Sequence, residues 1–338
     1  MHEAMFWEKA GDGRVRCGLC RFSCLIAPAR RGRCGVRENV DGTLYALTYG
    51  KVVAEHVDPI EKKPLFHFHP GSRSYSLATV GCNFRCLHCQ NFEISQWPHE
   101  RDGIPGDDRP PQAIVDAARR SDCLSIAYTY TEPTIYFEYA YDAAVLARRN
   151  GVQNVFVTNG YTTTAALETI APYLDAANVD LKAFSERFYR EVTGATLAGV
   201  LDTLRDYRRL GIWLEVTTLV IPGWNDEPDE LQQLAGFIAR ELGREVPWHV
   251  SAFYPTYRML DRPRTPAATL ERAAAIGREA GLQYVYVGNL PVPGGEDTRC
   301  PHCGAVVIRR EGFRLQTLEV QDGSCRLCGG AVAGVGLG

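Results

Sequence analysis

The chain has 338 residues, 45% of them hydrophobic, with 37 Lys+Arg against 40 Asp+Glu for a formal charge of −3. That exceeds one ordinary domain of about 100–200 residues and can fill a sizeable core, which excludes a disordered or collagen-like chain; the charge argues against a uniformly basic nucleic-acid coat. The amino terminus shows no apolar leader and no window reaches the roughly 18 unbroken apolar residues of a membrane helix, so a cytoplasmic, reducing compartment is expected.

In such a compartment closely spaced cysteines read as metal ligands or redox groups rather than disulfides. Twelve are present, at 17, 20, 24 and 34, then 82, 86 and 89, then 123 alone, then 300, 303, 325 and 328. Residues 1–73 form an extension that opens on Cys17, Cys20, Cys24 and Cys34. These thiols can close a zinc site or carry an auxiliary cluster; the uneven spacing does not choose, and zinc is the reading taken. Residues 14–37 also hold seven arginines and no acidic residue. Such a run suits an anionic partner, against the plainer reading of solvation and salt bridging. A hairpin is expected over 43–57, leading into Asp58-Pro-Ile-Glu-Lys-Lys-Pro64.

From 74 to 290 short β-rich runs alternate with amphipathic stretches, the pattern of a parallel sheet wrapped by helices. Strands are expected at 75–80, 124–130, 154–158, 177–181, 213–221, 248–253 and 284–287. Helices are expected at 111–121, 134–150, 163–174, 186–210, 227–242 and 269–280, several stopping at a glycine. Six or seven such units predict an α/β fold, a partial (β/α)6-type TIM barrel. Residues 291–299, rich in Pro and Gly, read as a linker. Residues 300–338 form a small module too poor in apolar residues to fold unaided, with 330–338 as a frayed tail. Cys123 stands at a helix-to-strand turn as a buried small residue.

In parallel α/β folds ligands bind at the carboxyl ends of strands, and polar residues gather there. Cys82-Asn-Phe-Arg-Cys86-Leu-His-Cys89 places three thiols on one loop after the first of these strands. Three ligands suit neither a closed structural zinc site nor an ordinary four-cysteine cluster; one corner is open. Cys300-x2-Cys303 and Cys325-x2-Cys328, by contrast, are two knuckles of a zinc-ribbon-like site, with rubredoxin-like iron or a second cluster as the alternative.

The three-cysteine spacing, its place after the first strand and the αβ repeat that follows resemble the radical S-adenosylmethionine (radical SAM) superfamily. Asp180-Leu-Lys182, Thr158-Asn-Gly160, Val220-Ile-Pro-Gly223 with Asp226, and Thr193-Gly194 resemble pyruvate formate-lyase activating enzymes. More specifically, Cys17 to Asn39, Tyr49-Gly50, Asp58 to Leu65, His67 to Gly71, Thr79 to Asn83, Cys89-Gln-Asn91 and Ile94-Ser-Gln96 resemble the radical SAM enzyme of the AmmeMemoRadiSam system. This covers about 14–290, and the carboxyl-terminal cysteines lie outside it.

The resemblance implies a 4Fe-4S cluster on Cys82, Cys86 and Cys89, and reductive cleavage of S-adenosylmethionine to methionine and a 5′-deoxyadenosyl radical. Thr131, Glu132, Asn159, Asp180, Lys182 and His249 are then the cofactor-binding candidates, each with helix capping or core packing as its plain alternative. Where superfamily members have Gly-Gly-Glu-Pro, this chain has Tyr130-Thr131-Glu132-Pro133. Val157 stands where the activating enzymes have an Asp, which weakens a monovalent-cation site there. Lys62, Lys63, His67 and His69 either line the same rim or belong to a surface turn. Implied partners are an external one-electron donor such as flavodoxin or ferredoxin, Memo-like and Amme-like proteins, and a protein, peptide or small-molecule substrate. Competing readings are a glycyl-radical-enzyme activating enzyme, an RNA-modifying enzyme using the arginine run, and a non-enzymatic iron–sulfur carrier or metal-stapled scaffold.

Overall fold

The apolar runs between residues 54 and 288 form one eight-stranded sheet in the computed structural model, which describes residues 1–338. In chain order its strands are β1 (Ala54–Pro59), β2 (Arg73–Ala78), β3 (Ser125–Tyr128), β4 (Gln153–Thr158), β5 (Ala176–Asp180), β6 (Trp213–Val220), β7 (Trp248–Ala252) and β8 (Val285–Gly288). Each pairs with the next, β1 antiparallel to β2 and the others parallel. A doubly wound sheet reverses its order at a switch point; this one does not, and β8 does not pair back to β1, so the sheet is an open, partial barrel.

The crossover helices are α1 (Pro111–Arg120), α2 (Phe137–Arg149), α3 (Thr164–Ile170), α4 (Leu197–Arg209), α5 (Pro228–Phe237) and α6 (Ala267–Glu279). The period-two alternation of β6 sends Leu214, Val216 and Val220 to the helix side and Glu215 and Thr217 inward. A core of 71 buried residues results. At about 1.5–3 kcal/mol for each fully buried large aliphatic or aromatic side chain, this interface rather than the cysteine modules carries the fold.

The expected helix over 186–210 is broken. A single turn, Glu186–Phe188, runs into a wider turn, Tyr189–Thr193, which ends at Gly194 before α4 begins. Gly194 has φ +74°, and a Cβ there would lie 2.3 Å from the Arg33 guanidinium, which donates to the Gly194 carbonyl at 2.8 Å. The left-handed φ favours glycine there, and a Cβ would push the Arg33 tip off the carbonyl it holds.

Three expectations at the edges also differ. Thr43–Ala46 pairs with Arg37–Val40, and Ala54–Pro59 is β1, so 43–57 is not one hairpin and the boundary at 73 runs through a sheet. The segment 60–69 turns beneath the amino ends of the parallel strands, where Ile60, Leu65 and Phe68 pack on Ala127, Val155 and Ala176. The tail is not frayed: the His67 carbonyl accepts from Val335 N and His69 N donates to the Val335 carbonyl, both at 2.8 Å, and Val332 and Leu337 are buried. The unpaired backbone at 67–69 gives the tail a partner.

Through that tail the carboxyl-terminal module shares a core with the barrel. Val307, Ile308, Val320 and Val332 pack with Phe66, Tyr284 and Tyr286. Arg310, fully buried at its guanidinium, donates to the Phe66 carbonyl at 2.6 Å and to Thr298 Oγ1 at 2.9 Å. The module's own strands, Val306–Glu311 and Arg314–Leu318, form an antiparallel hairpin flanked by Thr298–Arg299, which the expected linker includes. No helix is long and apolar enough to cross a membrane.

Candidate functional site

The loop after β2 begins at Gly81, whose φ of +102° turns the chain onto the carboxyl rim. A Cβ at Gly81 would lie 2.8 Å from Val36 Cγ1 and 3.3 Å from the Cys34 carbonyl oxygen, so the amino-terminal extension packs directly on the turn. Asn83, fully buried, fixes the next step: its Oδ1 accepts from Asn159 Nδ2 at 2.7 Å and its Nδ2 donates to the Tyr161 carbonyl at 3.4 Å. Arg33 Nε donates to the Asn83 carbonyl at 3.2 Å. Arg85 N and Leu87 N donate to the carbonyls of Thr193 and Val192 at 2.9 and 3.0 Å, so the broken turn before α4 backs the cysteine loop.

Cys82 Sγ accepts from Phe84 N at 3.4 Å and from Asn159 Nδ2 at 3.7 Å, while Cys89 Sγ contacts Ser95 Oγ at 3.2 Å. Burial pushes the Cys86 thiol up to about 12 and the Cys82 thiol well above its usual value, the latter also by the nearby Glu132. Thiolates here need a bound cation. Two buried polar atoms lack partners: His88 Nδ1 on the loop itself, and Thr217 Oγ1 on the inward face of β6, in register with Asp180 and His249. Burial, reinforced by Lys182, holds the His88 imidazole down at about 3, so it is neutral. Three loop thiols and unpartnered polar atoms fit a cluster with an open coordination position and a polar molecule beside it.

Glu132 and the strand ends frame this loop. Glu132 Oε1 accepts from Thr134 N, Thr134 Oγ1 and Thr158 Oγ1 at 3.0, 2.6 and 2.7 Å, and Oε2 accepts from Asn159 N at 2.8 Å. Burial still raises its carboxyl above the usual value. With these lone pairs engaged by protein donors, Glu132 holds the Thr158-Asn159 turn, and Asn159 in turn reaches Cys82. Lys182 Nζ pairs with Asp180 Oδ2 at 2.8 Å. Burial opposes the Lys182 charge, but Asp180 and Cys86 outweigh it and hold its pKa above the ordinary lysine value.

The turn before Glu132 departs from glycine at a cost. Tyr130 adopts φ +61°. Its OH donates to Asp58 Oδ2 at 2.5 Å, its carbonyl accepts from Asn91 Nδ2 at 2.7 Å, and Lys63 Nζ lies 4.6 Å from its ring centroid. Lys63 Nζ also pairs with Asp58 Oδ2 at 2.7 Å. The Asp58-to-Pro64 string thus clamps a side chain where the superfamily has glycine, and Thr131 Oγ1 ties the next residue to the Thr79 carbonyl at 2.8 Å. Asn83, Arg33 and this clamp lie outside the expected cofactor-binding residues; Tyr130-Thr131 in place of two glycines beside Glu132 is the sequence signal that points to the clamp.

His249 is not brought together with the others. Its Nε2 pairs with Glu215 at 2.7 Å and its ring packs on Phe66 and Tyr286. The same carboxylate accepts from Phe66 N and His67 N at 3.0 and 2.7 Å. His67 is buried beneath the strands, whereas Lys63, also buried, reaches the Tyr130 ring of the turn before Glu132.

The outer cysteine groups differ from each other. Cys300, Cys303, Cys325 and Cys328 are the one set of three or more candidate ligand atoms that all lie within 4.8 Å of one another. Backbone N–H groups of His302 and Gly330 donate to Cys300 Sγ and Cys328 Sγ at 3.4 Å each, the environment of a metal knuckle. Cys17, Cys20, Cys24 and Cys34 instead surround a small cavity. Cys123 is buried. Part of the arginine run is paired within the chain: Arg37, buried, to Glu138, Arg21 to Asp202 and Asp206, and the more exposed Arg31 to Glu38. A surface hollow lies over the carboxyl-terminal module, among Asp297, Arg299, Arg309 and Gln316, with no hydrophobic residue lining it; it lacks the enclosure of a cofactor site.

A family model for the Radical SAM superfamily matches residues 76–235. An uncharacterized protein of Methanocaldococcus jannaschii is 49% identical over 97% of this chain and 98% of its own length. Pyruvate formate-lyase 1-activating enzyme of Escherichia coli K12 is 20% identical over 61% of this chain and 89% of its own. Among solved structures, a radical SAM methyltransferase from Sphaerobacter thermophilus superposes with a TM-score of 0.52 at 16% identity, covering 70% of this chain and 71% of that one. At that identity the likeness establishes the fold.

Proposed function

The chain belongs to the radical SAM superfamily, and from that premise we propose that it is the radical enzyme of an AmmeMemoRadiSam-type system, with its cluster on Cys82, Cys86 and Cys89. The observation that carries the site assignment is the loop of three thiols on the carboxyl rim, held against Asn159 and beside Lys182, with buried polar atoms left for a ligand. The system assignment rests on the Asp58-to-Pro64 string and its clamp on Tyr130.

Cys82, Cys86 and Cys89 would hold a 4Fe-4S cluster, which with S-adenosylmethionine would supply reductive cleavage of the sulfonium and hydrogen abstraction from substrate. The chain's own residues bind and orient. Lys182 offers a fixed positive charge to a carboxylate or ribose, with Asp180 as the adjoining acceptor. Thr131 presents backbone acceptors for an ammonium, while Glu132 positions the Asn159 turn and adds negative charge behind it. The buried rim excludes water from the reacting carbon. A flavodoxin- or ferredoxin-type protein delivers the electron, and Memo-like and Amme-like proteins are its functional partners. Cys300, Cys303, Cys325 and Cys328 hold zinc, and the free thiols throughout the chain suit a reducing cytoplasm.

Activation of a glycyl-radical enzyme is the second reading, favoured by the Thr193-Gly194 turn behind the cysteine loop. The amino-terminal cysteine extension favours the first, since it packs on the Gly81 turn and so builds a different surface at the rim. Anaerobic reconstitution, reduction and addition of S-adenosylmethionine is expected to yield 5′-deoxyadenosine. A Cys86→Ala variant loses it; no product from the unsubstituted protein, or undiminished product from the variant, overturns the assignment.

A further inference from the structure

We propose that Cys17, Cys20, Cys24 and Cys34 hold an iron–sulfur cluster, a second metal centre separate from the one at Cys82, Cys86 and Cys89. This goes beyond the radical SAM assignment, which needs only the rim thiols.

The first observation is spacing. A zinc ion with Zn–S bonds of about 2.3 Å brings tetrahedral thiolates to about 3.8 Å from one another. The carboxyl-terminal four approach this, with Cys300 Sγ 3.6 Å from Cys328 Sγ and Cys303 Sγ 3.9 Å from Cys325 Sγ. No three of the amino-terminal four converge within 4.8 Å. They line a small cavity that Arg37 and Ile135 also wall. In a cluster the cysteines divide among several irons and inorganic sulfide fills the space between them, so its thiolates stand apart. The rim thiols share this open spacing.

The second observation is polar. Arg37, 1% exposed, forms two bonds from Nη1 to Glu138 at 2.9 and 3.1 Å, and one from Nη2 to the Met5 carbonyl at 2.5 Å. Its Nε, in the side chain that walls the cavity, has no partner. Native structures rarely leave such a donor bare. Sulfide or thiolate sulfur of a bound cluster is the acceptor it lacks. Gly32 keeps the wall open, since a Cβ there would lie 3.1 Å from Ile26 Cδ1 and 3.9 Å from Cys24 Sγ.

The centre leans on the catalytic rim. The Cys34 carbonyl lies against Gly81. By backbone dimensions the Cα atoms of Cys34 and Cys82 are therefore within about 11 Å. Cys20 forms a β-bridge with Thr162, in the turn that follows Asn159. Loss of this centre would loosen both loops that shape the rim.

The test separates the two centres. The full chain carrying Cys82→Ala, Cys86→Ala and Cys89→Ala is reconstituted anaerobically with ferrous iron and sulfide, then assayed for iron, acid-labile sulfide and zinc. The expected result is about two to four irons with matching sulfide and about one zinc per chain, with an electron paramagnetic resonance signal on reduction. Adding Cys20→Ser and Cys34→Ser removes the iron and leaves the zinc. About two zinc ions and no iron in the triple variant overturns the proposal. Should that variant not fold, the unsubstituted protein decides: iron above the roughly four atoms of the rim cluster supports a second cluster, and iron at or below that number refutes it. Failure of the rim assignment reads differently, as iron content unchanged by the three rim substitutions.

Discussion

Tyr130→Phe removes one hydroxyl and tests whether the Asp58-to-Pro64 string serves the cofactor site. A left-handed φ costs a non-glycine residue about 1–2 kcal/mol. Tyr130 offsets this with a hydroxyl donating to the Asp58 carboxylate at 2.5 Å and a ring 4.6 Å from the Lys63 ammonium. A hydrogen bond to a charged group is worth about 1.5–3 kcal/mol, and a desolvated cation–π contact about 2. With both, the turn is held; with phenylalanine only the ring contact remains, and it roughly equals the strain. Asp58 keeps Lys63 as a partner, so no buried charge is orphaned and the fold survives. The turn that carries Thr131 and Glu132 then samples right-handed conformations, and apparent affinity falls with the competent fraction. We expect the S-adenosylmethionine Kd of the reconstituted protein, by equilibrium dialysis, to rise about tenfold, or about 1.4 kcal/mol. Tyr130→Gly accepts the same φ without strain and should lie within about threefold of the unsubstituted protein. Unchanged affinity in the phenylalanine variant, or glycine weaker than phenylalanine, refutes the reasoning.

Three other outcomes follow from single contacts. His67 accepts from Tyr286 OH through Nε2 and donates from Nδ1 to the Ala333 carbonyl, and burial holds its pKa down at about 4 against 6.5. The unfolded chain therefore binds this proton below pH 6.5 and the folded chain only below about 4, so stability falls as pH falls through that window, by about 3 kcal/mol in all. A melting-temperature series from pH 7 to 4 should be flatter for His67→Asn, and parallel slopes would sink the idea. Cys303→Ala should release the carboxyl-terminal metal and expose residues 330–338 to limited proteolysis while the barrel's transition persists; metal retained at full occupancy counts against the site. Gly81→Ala puts a Cβ 2.8 Å from Val36 Cγ1 at φ +102°, which should cost about 1–3 kcal/mol and lower iron retention at the rim; a variant that melts and loads iron normally contradicts the packing.

Local signals carried much of this structure. The seven parallel strands follow from runs of β-formers bounded by turns, and each expected strand overlaps an observed one, as 213–221 does Trp213–Val220. The three-cysteine loop and the polar strand ends were legible for the same reason: spacing and position are properties of a few adjacent residues. What escaped depends on contacts far apart in sequence. Ala54–Pro59 became an edge strand because Arg73–Ala78 offers an open side, and the 330–338 tail docked because residues 67–69 left backbone groups unpaired. The break before α4 falls at the left-handed Gly194, whose carbonyl Arg33 holds from 161 residues earlier in the chain. His249 has the right strand but pairs with Glu215, which comes from the neighbouring β6, 34 residues earlier in the chain.

The arginine run shows how composition misleads when geometry is missing. Seven arginines without an acidic neighbour in 14–37 look like a polyanion surface, because screening and pairing are judged along the chain. Folded, the acids arrive from elsewhere: Glu138 from α2 reaches Arg37, while Asp202 and Asp206 from α4 reach Arg21. Arg33 spends its donors on the carbonyls of Asn83 and Gly194, two points of the rim. The guanidiniums of Arg21, Arg33 and Arg37, satisfied by carbonyls, a hydroxyl and carboxylates, have few donors left for phosphate. That leaves the exposed Arg16, Arg30 and Arg31 as the basic part of this face. Arg21, Arg33 and Arg37 instead explain why a cysteine-rich extension precedes the barrel at all. Their forks span the extension, the Cys82 loop and the turn before α4, so the placement of the rim thiols depends on the amino-terminal module being folded.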